Sequence, residues 1–200
     1  MIVDTLHVGE MQVNCYVVGS EISHRAVIID PGADYQKIQE SLKKHGLSPL
    51  CIIITHGHYD HIGALDRFRL PVYIHKLDAE FLEDPEKNLS AFFGITKQFD
   101  LEIKPLEDRD TITIDDINLE VIHTPGHTPG GISLYVDKML FTGDTLFAGG
   151  VGRTDLPDAS DEQLRASLQK LLAYDDDTKV LPGHGPSTTV GREKKINPFL

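Results

Sequence analysis

What this chain can become is narrowed first by its strands, short β-branched runs that stop at turns and fall into two sets. Ile2 to Val8, Met11 to Val18, Ala26 to Ile29, Leu50 to Ile54 and Val72 to Ile74 form the first set, its first two members joined as a hairpin through Gly9-Glu10. Thr111 to Ile114, Ile117 to Ile122, Ile132 to Val136, Met139 to Phe141 and Lys179 to Leu181 form the second. Helices accompany both. Asp34 to His45 carries Ile38 and Leu42 on one side with Gly46 just past its end, and Asp161 to Ala173 is a second amphipathic segment. A further helix is expected at Lys76 to Glu83, while Asp84 to Phe99 carries no clear pattern. Two groups of strands, each with its own helices, predict an α+β chain in which two sheets pack face to face with helices outside. The 200 residues show no linker and no internal repeat, so a single domain over 1–200 is expected.

Where the apolar run Leu50 to Ile54 ends, the chain reads Thr55-His56-Gly57-His58-Tyr59-Asp60-His61. Ile62, Leu65 and Phe68 follow at helical spacing, which places the motif on a loop between a buried strand and a helix start. With ten histidines in the chain, three fixed positions would all be His roughly once in ten thousand windows, so chance explains the cluster poorly. Imidazole is the commonest ligand of zinc and related ions, and carboxylate adds a harder oxygen donor. His56, His58, Asp60 and His61 are hard to wrap around one ion from a single loop. Two ions are the simpler geometry, and two ions need donors from elsewhere.

Three later turns supply them: His127 in Thr124-Pro125-Gly126-His127-Thr128-Pro129-Gly130, Asp144 in Thr142-Gly143-Asp144, and His184 in Leu181-Pro182-Gly183-His184-Gly185. Each follows an expected strand, and each sits among residues that shape a tight turn. Seven side chains, His56, His58, Asp60, His61, His127, Asp144 and His184, are therefore the candidate metal ligands. His7, His24, His45, His75 and His123 lack such a setting and are expected to be structural. Asp30, in Ile29-Asp30-Pro31-Gly32, is a candidate to accept a hydrogen bond from the far nitrogen of a ligand histidine, as well as a turn former. Arg153 is a candidate to bind a substrate carboxylate, or to form a salt bridge within its loop.

The formal charge of −12 and the lack of a basic patch argue against a nucleic-acid partner. Neither a signal segment nor a run long enough to span a bilayer is visible, so a soluble, cytoplasmic protein with no membrane partner is expected. Cys15 and Cys51 lie singly in apolar strands and are expected to be buried thiols.

The series His-X-His-X-Asp-His, then His127, Asp144 and His184 in that order, resembles the metallo-β-lactamase superfamily from Asn14-Cys15-Tyr16 to Asn197-Pro198-Phe199. The resemblance implies an αββα sandwich with a two-metal site at one edge. It implies that His56, His58 and His127 hold one ion, that Asp60, His61 and His184 hold the other, and that Asp144 bridges them. The lactamases themselves commonly have cysteine at the position of Asp144, whereas glyoxalase II-like hydrolases have aspartate. Phe147 to Asp155, FAGGVGRTD, is also similar to the corresponding glyoxalase II-like loop. Pro186 departs from that likeness, standing where glyoxalase II has a tyrosine. So does the chain after Arg192-Glu193-Lys194-Lys195, which lacks the basic helical extension that binds glutathione.

The implied activity is hydrolysis of a small-molecule thioester such as S-lactoylglutathione. Two divalent ions, Zn2+ first with Fe or Mn as alternatives, would share a hydroxide that attacks the carbonyl and expels thiolate. Asp60 would both ligate and position that hydroxide. Two dications, two carboxylates and a hydroxide sum to +1, suited to a developing oxyanion. Persulfide dioxygenases resemble the same pattern and use one iron at positions matching His56, His127 and Asp144. A superfamily nuclease fits the acidic composition less well, and a binding protein without catalysis has no reason to keep seven competent ligands.

Overall fold

A computed structural model describes all 200 residues. The first sheet runs β1 (Ile2–Val8), β2 (Val13–Gly19), β3 (Arg25–Ile29), β4 (Ser48–Ile53), β5 (Val72–His75) and β6 (Ile103–Leu106), side by side in chain order. β1 to β3 are antiparallel neighbours, and β3 to β6 are parallel. The second sheet contains β7 (Thr111–Ile114), β8 (Ile117–His123), β9 (Ile132–Val136), β10 (Met139–Gly143), β13 (Lys179–Pro182) and β14 (Thr188–Thr189), in the order β14-β13-β10-β9-β8-β7. Between β10 and β13 a small hairpin forms from β11 (Leu146–Phe147) and β12 (Gly150–Val151).

Strand alternation sorts the side chains into layers. Val27, Ile29, Cys51 and Ile53 point between the sheets and meet Leu119, Val121, Leu134, Phe141 and Leu181. Ala26, Ile28, Ile52 and Ile54 point the other way, onto Ile38 and Leu42 of α1 (Tyr35–His45). On the far side, Leu164, Leu168 and Leu171 of α3 (Asp161–Leu172) cover Leu140 and Val180, joined by Val190 of α4 (Val190–Ile196). The result is the expected αββα sandwich. A strand with both faces buried must be apolar at every position, which is why Cys51 to Ile54 is an unbroken run, while Leu50 before it is exposed. Cys15 and Cys51 are free, buried thiols, and burial pushes the Cys51 thiol up to about 11. No helix is long and apolar enough to cross a membrane.

Two local expectations are corrected, and one strand is added. Lys76 to Glu83 forms only a 3₁₀ turn at Ala79–Leu82, because Asp78 is drawn into bonds with two other loops and Pro85 stops any continuation. After the histidine motif the helix α2 is one turn, Tyr59–Ile62, and a 3₁₀ turn at Leu65–Arg67 follows, so the Ile62/Leu65/Phe68 spacing belongs to two short pieces. Between them Gly63 lies against the Gly32 carbonyl too closely for any Cβ. β6 was hidden by Pro105, which is tolerated because β6 is an edge strand.

Candidate metal centre

Four loops at one end of the sandwich carry the seven candidate ligands. β4 leads into Thr55 to His61, β8 and β9 are joined by the loop holding His127, β10 ends at Gly143 before Asp144, and β13 ends at Pro182 before His184. The side chains converge in three overlapping sets, His56/His58/His127, His56/His61/Asp144 and Asp60/His61/His184, with donor atoms in each set within 4.8 Å of one another. Asp144 sits among them: Oδ1 is 3.4 Å from His61 Nε2, and Oδ2 is 3.6 Å from His127 Nε2 and 3.7 Å from His184 Nε2. Asp60 Oδ2 lies 3.1 Å from His184 Nε2.

Most of the histidines have one ring nitrogen secured by a neighbour and the other turned inward. His61 Nδ1 donates to Asp30 Oδ2 at 2.9 Å, His127 Nδ1 to the Arg153 carbonyl at 2.9 Å, and His184 Nδ1 to the Met11 carbonyl at 3.2 Å. These acceptors hold a proton on Nδ1 and turn Nε2 towards the cluster, the arrangement that orients imidazole ligands in metal sites. Asp30 is itself held by Thr55, whose N–H and Oγ1 donate to it at 2.8 and 2.6 Å. Arg153 contributes its carbonyl to the site while its guanidinium forks onto Asp155 at 2.6 and 2.8 Å at the surface.

Only three buried side-chain polar atoms in the protein lack a hydrogen-bond partner: His56 Nε2, His61 Nε2 and Asp144 Oδ1. All belong to this cluster. An unsatisfied buried group costs about 1–3 kcal/mol, so three at one spot identify a place built for something other than a protein partner. Mixed nitrogen and carboxylate donors suit Zn, Fe and Mn, and the residues fit a pair of such ions.

The electrostatics agree. Burial, reinforced by the imidazoles around it, holds His56 well below the ordinary histidine range, and burial with His127 beside it pushes His58 down to about 3. Both are therefore neutral and able to donate a lone pair. At His61 burial opposes charge, yet Asp60, Asp144 and Asp30 outweigh it and raise the imidazole well above its usual value. Burial likewise disfavours the Asp144 carboxylate, and His61, His127 and His184 overcome it to hold Asp144 well below the carboxylate range. Three carboxylates around one buried imidazole mark a spot that demands positive charge.

Asp78 was missed by sequence reasoning. Fully buried, it accepts from Gly57 N at 3.0 Å, Thr128 Oγ1 at 2.7 Å and Gly130 N at 2.5 Å, thereby tying the His56/His58 loop to the His127 loop. Asn14 was missed in the same way: its Nδ2 donates to the carbonyls of Pro182 and Gly185 at 2.9 and 2.8 Å, bracketing His184. Nothing in the local sequence separates either from a surface polar residue. The histidines expected to be structural include His75 and His123, whose rings stack at 4.0 Å, and His45, which lies 3.2 Å from Asp4 Oδ2.

Set beside known proteins, residues 8–184 match the sequence profile described as the metallo-beta-lactamase superfamily. The chain belongs to the metallo-beta-lactamase superfamily. It is 35% identical to the hydroxyacylglutathione hydrolase GloC of Haemophilus influenzae, over 100% of this chain and 98% of that protein. Among solved structures it resembles the BLEG-1 B3 metallo-beta-lactamase, at 39% identity and a TM-score of 0.92, covering 100% of this chain and 99% of the other. It also resembles TTHA1623 in a di-iron-bound form, at 39% identity and a TM-score of 0.86, covering 98% and 100%. As a member of this superfamily, whose relatives include proteins described as metallo-hydrolases, the chain has the superfamily fold.

Proposed function

We propose that this superfamily member is a dinuclear metal-dependent hydrolase acting on small-molecule thioesters. The observation that carries the reading is Asp144, whose partnerless Oδ1 and second oxygen face both triads of donors. His56, His58 and His127 would hold one ion, Asp60, His61 and His184 the other, with Asp144 shared. Zn2+ is the first expectation, and the di-iron form of the TTHA1623 structure makes iron a real alternative. Divalent ions bound there would lower the pKa of a water towards neutrality and polarise a carbonyl.

The chain's own part is positioning. Asp30, the Arg153 carbonyl and the Met11 carbonyl fix His61, His127 and His184 in one tautomer each, and Asp78 fixes the spacing of the loops. Asp60, held 3.1 Å from His184 Nε2, would orient the attacking oxygen. A thiol leaving group has a pKa near ~8.5 and departs as thiolate, so no side chain has to serve as general acid. Aspartate at position 144, where the lactamases commonly have cysteine, supports a thioester over a β-lactam.

The test is turnover of S-lactoylglutathione and other thioesters by zinc- and iron-loaded protein, with oxygen uptake and β-lactam cleavage measured alongside. Thioester cleavage, lost together with metal in His58→Ala, is the expected result. Oxygen consumption with one iron per chain, or β-lactam cleavage with no thioester turnover, would overturn it.

A further inference from the structure

Beside the cluster two clefts open on either side of one aromatic ring, Phe93. The first, of about 470 Å³, is lined by Val8, Met11, Val13, Ala33, Phe93 and Ile95, and Tyr59 and Asp60 form its inner wall. The second, of about 530 Å³, is lined by Leu89, Phe92, Phe93 and Leu156 together with Arg153. Volumes of this size are those of small-molecule sites. Met11, Phe92, Phe93 and Ile95 are all exposed, four large apolar side chains gathered at the mouth of a polar centre instead of scattered over the surface.

Charge divides the two clefts. In the first the only charged residues are Glu10 and Asp60, both acidic, so an anionic group entering it meets repulsion as well as an apolar wall. The second holds one charge of each sign, Glu86 and Arg153, and the Asp155 contacts of Arg153 use Nε and Nη2 and leave Nη1 without a bond inside the protein. A thioester has two arms, an acyl group and a thiol carrier, and the common carriers are anionic.

Resting on the thioester reading, we propose that the cleft between Met11 and Ile95 receives an apolar acyl chain, that the carrier lies on the Arg153 side, and that Phe93 is the specificity-determining residue between them. The substrate class is thus thioesters of medium-length aliphatic acids, in preference to a polar lactoyl group. Met11 joins the cleft to the centre, because the residue whose side chain lines the wall also holds His184 through its carbonyl.

The experiment compares kcat/KM for S-acetyl-, S-butanoyl-, S-hexanoyl- and S-lactoylglutathione on metal-loaded protein. Each buried methylene adds up to about fourfold, so hexanoyl should exceed acetyl and lactoyl by at least about tenfold. Phe93→Ala should collapse that ratio to below about threefold, whereas Phe92→Ala, outside the acyl cleft, should keep it. A ratio near one in the native protein, or one that survives Phe93→Ala, overturns the proposal. Calorimetric binding of acetate, hexanoate and octanoate separates the two claims. If no thioester is cleaved but affinity climbs with chain length and depends on Phe93, the thioester reading falls and the apolar cleft stands. Cleavage with no such dependence leaves the hydrolase and removes the cleft.

Discussion

Asp30 Oδ2 lies 2.9 Å from His61 Nδ1, both side chains being buried, while His61 Nε2 points into the cluster with no partner. One carboxylate thus fixes the tautomer and the direction of a ligand that Asp60 and Asp144 also surround. Removing such an outer partner typically costs 10–100-fold in metal affinity. Asp30→Ala should lower affinity at the Asp60/His61/His184 set by about that factor, measured by competition with a chelator, and leave the His56/His58/His127 set nearly unchanged. Equal loss at both sets would show that Asp30 acts on the fold instead.

Gly183 has no room for a side chain, since a Cβ there would overlap Asp144 Oδ1 and come within 2.8 Å of His61 Cε1. Gly183→Ala should therefore displace Asp144 and remove metal binding, at an overpacking cost of about 1–3 kcal/mol. Far-ultraviolet circular dichroism should remain native. Full metal retention in this variant would mean that Asp144 is free to move and is not a fixed ligand.

Asp78 connects loops far apart in sequence, and its loss strands Gly57 N and Gly130 N. Burial raises its carboxyl despite the three bonds that pull the other way. Asp78→Ala should cost about 3 kcal/mol in urea unfolding, and metal affinity should fall with it. A stability change under about 0.5 kcal/mol would contradict the assigned role.

His75 stacks on His123 and accepts from Leu77 N through Nδ1, which requires its neutral form. Burial first, then the neighbouring His123 and Lys76, push it down to about 4. Above about pH 6.5 neither folded nor unfolded chain protonates this group. As pH falls from there towards 4, the unfolded chain takes up the proton first, so the stability contribution disappears across that window. His75→Phe, which keeps a stacking ring without titrating, should lose less stability between pH 7 and pH 4.5 than the native chain when both are stripped of metal. Parallel curves for the two would remove His75 as a source of acid sensitivity.

The parts of this protein that could be read from sequence are those where one residue type is forced. From Cys51 onward β4 must be apolar because both its faces are covered, and the turns that present His127, Asp144 and His184 need glycine or proline to bend at a strand end. The supporting residues were harder to see. A backbone carbonyl, such as that of Arg153 or Met11, is supplied by any residue and leaves no trace in composition. Asp78 and Asn14 act through partners 52 and 168 residues away, and no periodicity reports such a contact. Arg153 bonds to His127 through its carbonyl oxygen, while its guanidinium lies at the surface against Asp155. The helix expected at Lys76 to Glu83 failed for a related reason, since tertiary bonds to Asp78 outweigh local propensity.

Metal content tests the whole account most directly. Protein loaded with zinc or iron, dialysed free of excess and analysed by plasma mass spectrometry should carry two ions per chain, falling to one or fewer in Asp144→Ala. One ion or none in the native chain would contradict a centre in which Asp144 is shared between two sets of ligands.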